Sequence, residues 1–366
     1  MNKCKQLIKK VIYKNAGLFT LKSRVSISEA KGLLEQWSPK PTGICLTKNI
    51  IDIRYDLQII VPAYNSEKYI EECLKSVLSQ EHEYSVLITV INDGSTDATA
   101  EILEKLKGVE PKSNTRLEII TQENKGFSGA RNTGLKVLKG TYISFLDSDD
   151  VLQTDILQIM LNTAYKSKKD IVQGELYRFT DTEPSEERIK ESEKGVVNTL
   201  SGYPCGKIYM YTVLENYCFP EGYWYEDTPI SFILFGLPYS YECLNEVVYG
   251  YRQNPQSITY TSVSKKKSID TYWITEECLK EFPLFGLSYD QRAYEYLLKQ
   301  SIMNAGRIRK QNRKIREAVF ILTHNLINTY FTDMKTNSSS MAEIEKALKN
   351  KQFLRFELLI KSISNN

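Results

Sequence analysis

The chain reads as an α/β protein: a Rossmann-like, mostly parallel central sheet flanked by helices, with a helical C-terminal extension. Three observations predict this. Short apolar runs rich in β-branched residues (LQIIV, VLITVIN, RLEIIT, TYISFL) alternate with segments of helical periodicity from residue 57 onward. The runs are mostly apolar, VLITVIN above all, as strands covered on both faces are. From about Lys265 the text turns helical and stays so.

In order, LQIIVPAYN is a buried strand that Pro62 should end, and SEKYIEECLKSVLSQ is a helix. In that helix Ile70, Cys73, Leu74, Val77 and Leu78 share a face, Ser66 can cap the first turn and Glu67 suits its dipole. YSVLITVIN is the second strand, Asp93-Gly94 a turn, and the following Ser/Thr/Asp cluster a cap for a helix that Gly108 stops. RLEIITQ is the third strand. GFSGARNTGLKVLKG is a helix with Gly140 just past its end, and TYISFLD is the fourth strand. Beyond residue 175 the signal weakens. TDTEPSEERIKESEKG (180–195) reads as a mobile insertion or hairpin, and aromatic, strand-and-turn-like text returns in SGYPCGKIYMYTVL, FPEGYWYEDTPISFILFG and VVYGYRQNPQSITYT. NSSSM at 337–341 is a hinge before one short helix. These shifts divide the chain into a basic N-terminal extension (1–56), a central α/β domain (57–264) and a helical region (265–366).

Composition excludes several chemistries. A formal charge of +3 on 366 residues is too mild for a protein held to nucleic acid by phosphate contacts. Seven cysteines without a CxxC pair argue against a disulfide framework or zinc cage, and two distant histidines leave catalysis to carboxylates. Asp93 and the run Asp147, Asp149, Asp150 each follow an apolar strand directly. Both therefore fall at the strand C-terminal edge, where ligands bind in such folds. Clustered carboxylates repel one another unless a cation offsets them, and oxygen-only ligation favours Mg²⁺ or Mn²⁺, commonly with a phosphate. A plain surface turn in which Asp149 and Asp150 cap the next helix produces the same letters.

In this context IIVPAYNSEKYIEECLKSVLSQ, VINDGSTDAT, ENKGFSGARNTGL, GTYISFLDSDD, PCGKIY, YEDTPISF and YRQNPQSIT resemble, in order, the motifs of glycosyltransferase family 2. These are inverting enzymes of GT-A fold that build polysaccharides and glycolipids from nucleotide-diphosphate sugars. The resemblance covers about residues 57–262. It implies that Pro62, Tyr64 and Asn65 line a nucleotide pocket, that Asp93 accepts from the base, and that Arg131 faces the nucleotide or diphosphate. It implies a DxD pair with Asp147 near the ribose and Asp149 on a Mn²⁺ or Mg²⁺ ion, supported by Asp150. Asp227 is the implied general base, with Glu226 orienting it, while Lys207, Trp224 and Arg252 are implied substrate contacts. The donor is a UDP-sugar by family habit and the acceptor a saccharide or lipid-linked saccharide of cell-surface or capsular polysaccharide. Two alternatives stand beside it: a non-catalytic binding or scaffold relative, and a DxD phosphohydrolase, although Asp150-Val151 stands where the latter wants Gly-Thr.

No run of 18 apolar residues appears and the N-terminus lacks the apolar centre of a secretory signal, so a cytoplasmic protein is expected. Residues 1–24 and 299–316 each carry seven Lys/Arg and no acid. They suit peripheral contact with an anionic membrane face, or a solvated helix packed on its own domain. Oligomeric state is not legible.

Overall fold

The structure is a computed structural model that describes residues 21–181, 187–189, 199–254 and 261–364. The basic stretch of residues 1–20, most of the 180–195 insertion and the NPQSITY part of the last motif thus lie largely outside the described residues. Two compact units form: residues 42–254, and a second one that joins the chain before Pro41 to the chain after Pro255. The expected boundary at 56/57 falls inside the first strand, because IIDIRYD already belongs to it.

The second unit is helical. It contains α1 (Ile27–Trp37), capped reciprocally by Ser26 and Glu29, and the C-terminal helices described below.

Residues 42–254 hold one nine-stranded sheet. Strand β1 (Ile50–Ala63) leads to α2 (Ile70–Leu78), β2 (Val86–Asn92), α3 (Thr99–Leu106), β3 (Thr115–Thr121), α4 (Gly126–Leu135) and β4 (Val137–Phe145). Then follow β5 (Val151–Leu152), α5 (Ile156–Ser167), β6 (Ile171–Phe179), β7 (Glu187–Ile189), β8 (Lys207–Met210), α6 (Tyr211–Leu214), α7 (Thr228–Phe232) and β9 (Tyr241–Arg252). The strand order is 3-2-1-4-8-6-9-5, with β7 pairing β6 off this path. Strands β3, β2, β1 and β4 are all parallel. Beyond β4 the sheet is mixed, since β8 runs antiparallel to both β4 and β6 while β6 and β9 are parallel. All seven residues of β2 are buried, as a strand covered on both faces must be.

Several local readings are corrected. Pro62 does not end β1, which pairs with β2 through Pro62 and Ala63. Ser66 caps nothing with its side chain; its hydroxyl meets Tyr64 O and Ser148 Oγ, and only its carbonyl accepts from Tyr69 and Ile70. Glu67 reaches across to the Ala98 amide. Helix α4 stops at Leu135, so VLKG is strand: Gly140 pairs with Tyr55, and a Cβ there would lie 2.4 Å from the Gln58 nitrogen. YEDTPISF is a turn and the short helix α7 rather than strand, with Pro229 in its first turn. The 187–189 segment pairs antiparallel with β6, the hairpin alternative for that insertion.

In the helical unit, α8 (Asp270–Glu281), α9 (Gln291–Arg307) and α10 (Arg313–Tyr330) precede α11 (Ala342–Lys349) and α12 (Phe353–Ser364). The single helix expected after the hinge is two, broken at Lys351, whose φ of 56° is left-handed. Among the described residues no helix is long and apolar enough to cross a membrane.

Candidate active site

The C-terminal ends of β1, β2 and β4 deliver three loops to one edge of the sheet. Asn65 ties the first two together. Its backbone sits at φ 49°, its amide donates to Ser95 Oγ, and its Oδ1 accepts from the Thr96 amide at 2.8 Å. The Ser66–Ser148 hydroxyl pair at 2.8 Å ties the first loop to the third. Tyr64 stands 52% exposed, so its ring is not part of the core, while Pro62 is half-buried. Asp93 is buried, with Oδ1 held by Gln122 Nε2 at 2.7 Å and the Lys125 amide at 2.9 Å.

The three acids after β4 have different surroundings. Asp150 is fully buried, and both of its oxygens are committed: Oδ2 accepts from the Tyr249 hydroxyl at 2.6 Å and Oδ1 from the Arg252 amide at 2.7 Å. A carboxylate whose oxygens are both spent inside the protein is a scaffold for the loop, which corrects its assignment as a supporting metal ligand. Burial, then the charges of Asp149 and Asp147, push its carboxyl well up. Asp147 is part-exposed; its Oδ1 accepts from Arg131 at 2.6 Å and its Oδ2 from the Cys205 thiol. Asp149 has no side-chain partner among the described residues. Burial and the charge of Asp147 push its carboxyl up to about 6.

Arg131, on α4, is nearly fully buried and bridges two acids, donating to Asp147 and, at 2.5 Å, to Glu226. Its guanidinium lies 5.3 Å from the Phe219 ring centroid, and its Nε has no partner among the described residues. The expected contact with nucleotide or diphosphate is therefore corrected: this cation joins the DxD loop to the Glu226-Asp227 turn. Burial pushes Glu226 up to about 7 against the pull of Arg131, with Asp227 adding to the rise. Asp227, half-buried at the start of α7, has no side-chain partner among the described residues. The residue before the pair, Tyr225, holds φ at 63°, a conformation that a bulky side chain adopts only under constraint.

Two implied substrate contacts are internal instead. Lys207 is buried and its Nζ donates to Ser201 Oγ and to the Tyr203 and Cys205 carbonyls, pinning the 201–206 loop. Arg252 engages all three guanidinium nitrogens: Nε with the Asp149 carbonyl at 2.7 Å, one terminal nitrogen with Glu72 at 2.6 Å, and the other with Asp181. It also lies over the Phe179 and Tyr69 rings. Trp224 is half-buried beside the Glu226 turn. Sequence reasoning missed Tyr249, which donates to Asp150 and accepts from the Asp147 amide. The one hint was its place in VVYGYR, a hydroxyl directly after an apolar pair. The six described cysteines are free thiols, and burial holds those of Cys73 and Cys205 well above the usual range.

Among the described residues no three acidic, His or Cys side chains gather as a metal cage. That fits an ion bound through one or two carboxylates plus substrate phosphates, the usual habit of Mg²⁺. Asp149 is raised, without a side-chain partner among the described residues and next to a second carboxylate.

Residues 58–220 match the profile of Glycosyl transferase family 2. Among curated proteins, the chain is similar to glycosyltransferase GlyA of Streptococcus pneumoniae, 39% identical over 127 residues, 35% of this chain and 18% of that one. It is also similar to the uncharacterized glycosyltransferase EpsJ of Bacillus subtilis, 32% identical over 223 residues, 56% of this chain and 62% of that one. The chain thus spans less than two thirds of the length of either. Among solved structures, S. aureus TarS 1–349 in complex with UDP-GlcNAc superposes with a TM-score of 0.63 at 21% identity, covering 85% of this chain and 92% of that one. The fold is that of the GT-A glycosyltransferases, and the phosphohydrolase alternative falls with it. It is over residues 58–220 that the chain matches glycosyltransferase family 2.

Proposed function

We propose that the protein is a metal-dependent, inverting glycosyltransferase that moves a sugar from a nucleotide-diphosphate sugar to a hydroxyl of a saccharide or lipid-linked saccharide in polysaccharide synthesis. The observation that carries this reading is the Arg131 bridge. It brings the DxD loop and the Glu226-Asp227 turn into one site while leaving Asp149 and Asp227 unpaired. One acid is thus left for the donor side and one for the acceptor side.

In this reading the exposed ring of Tyr64 takes the face of the base. Asp93, fixed by Gln122 and Lys125, offers its remaining oxygen to a base N–H. UDP is the favoured carrier, supported by family habit and by the UDP-GlcNAc named for the TarS structure. Asp149, with Asp147 beside it, would hold Mn²⁺ or Mg²⁺, which would supply positive charge to offset the negative charge developing on the diphosphate. Asp227 takes the acceptor proton as the acceptor oxygen bonds to the anomeric carbon. The bond from that carbon to the diphosphate oxygen breaks, and its electron pair leaves with the nucleoside diphosphate. A single displacement inverts the anomeric centre. Glu226, anchored by Arg131, fixes the turn that aims Asp227.

Titration calorimetry of UDP, GDP and dTDP with and without Mn²⁺, on the intact protein, on Asp149→Ala and on Asp227→Asn, tests this. One nucleotide should bind in a metal-dependent way that Asp149→Ala abolishes. Asp227→Asn should bind it as the parent does while transfer falls by about 10² to 10⁴. Absence of metal-dependent binding to any of the three would leave the scaffold alternative in its place.

A further inference from the structure

A pocket of about 160 Å³ opens within the helical unit, away from any residue assigned above. Its walls are Ile308, Val319, Phe320, Phe353, Phe356 and Ile360, from the ends and faces of α9, α10 and α12. Phe320 packs its ring 5.5 Å from Phe353 and 5.2 Å from Phe356, so the apolar lining is continuous. The rim is charged: Arg309, Arg316, Glu357 and Lys361. Arg316 and Glu357 neutralise each other at 2.6 Å. Arg309 and Lys361 are exposed, and neither has a carboxylate partner among the described residues.

An apolar cavity of about 150 Å³ holds a benzene ring, so this one accommodates a group of about six carbons. An apolar interior under two unpaired cations fits an amphiphile with an anionic head, and it disfavours a cationic occupant. The chain's own residues 1–20 carry five lysines and no acid, so charge argues against that segment as the occupant. Neighbouring the lining residues in sequence, Lys299, Lys310, Arg313 and Lys314 are also exposed, in a stretch that has no acid from 299 to 316. That is more positive charge than one free anion needs, and it suits a surface of many anionic headgroups.

We propose that this pocket receives part of an acyl chain of an anionic membrane lipid, with the headgroup held by Arg309 and Lys361. The proposal is independent of glycosyl transfer, because none of these residues belongs to the candidate active site.

The test is flotation of the full-length protein with phosphatidylcholine vesicles with and without phosphatidylglycerol. Ala305→Trp and the milder Ala305→Leu would fill the pocket, and the Arg309→Gln, Lys361→Gln pair would remove the head contacts; thermal melts would check that each variant folds. Recovery should need phosphatidylglycerol and fall about tenfold or more in Ala305→Trp. The double Gln variant should partition about thirtyfold more weakly, since each basic residue near such a surface is worth about a factor of five. Octyl phosphate should displace the protein from vesicles where inorganic phosphate at equal concentration does not. Unchanged flotation of both Ala305 variants, or equal competition by the two phosphates, would overturn the pocket and leave only surface electrostatics. Equal recovery with neutral vesicles would overturn the anionic lipid.

Discussion

Arg131 carries two acids on one guanidinium in a buried setting, and that fixes what its removal does. Taking one partner out of a buried ion cluster leaves uncompensated charge and costs about 3–5 kcal/mol. Arg131→Gln should therefore lower unfolding stability by that order in urea melts, since the residue is only 4% exposed. Asp147→Asn and Glu226→Gln should each recover part of the loss in the Arg131→Gln background. The three residues form one network, and changes within a network do not add. Additive losses would mean that the 2.5–2.6 Å contacts are not formed in solution.

At the scale of the elements, α4 lies against β1 at Gly134, where a Cβ would come within 2.5 Å of the Ile60 Cγ2 atom. Ile60 is fully buried and its branched side chain has no open direction to move. Gly134→Ala should accordingly destabilise the protein by about 1–3 kcal/mol through overpacking, more than the gain in helix propensity returns. Thermal or denaturant melts of this variant would read it directly. The alternation of strands and helices from 57 to 146 was legible in the sequence because each apolar run is local and the central strand β2 is buried on both faces. Helix ends were less so. LKVLKG keeps a helical period and yet pairs as strand from Val137, since β1 extends back to Ile50 and offers it a partner that the short run LQIIV did not announce. Within the site, the placement of Asp93 and Asp147 at strand C-terminal ends could be read from the apolar runs before them. The internal duties of Arg131, Lys207 and Arg252 could not, because what occupies each of these cations is decided by side chains or loops that tertiary packing brings to it.

For the whole molecule, the ionisation of Glu226 links stability to pH. Its ordinary value is 4.5, and burial raises it in the fold to about 7. Between those pH values the folded chain keeps a proton that the unfolded chain has lost, so this group's contribution is full below the window and declines as pH rises through it. Melting temperature should fall from about pH 5 to pH 7, and Glu226→Gln should flatten that part of the profile; an unchanged slope in the variant would assign the dependence to other groups. The second consequence concerns time. The DxD loop is complete in the chain at Asp150, yet the groups that shape it, the Tyr249 hydroxyl and the Arg252 amide and guanidinium, come 99 to 103 residues later. During synthesis the parallel half of the sheet can assemble as it emerges, but the carboxylates at its edge stay unset until β9 has left the ribosome and docked. A nascent chain halted before residue 249 should thus protect β1, β2 and β4 from proteolysis while binding no nucleotide in the presence of Mn²⁺. The carboxylate edge is made early and set last.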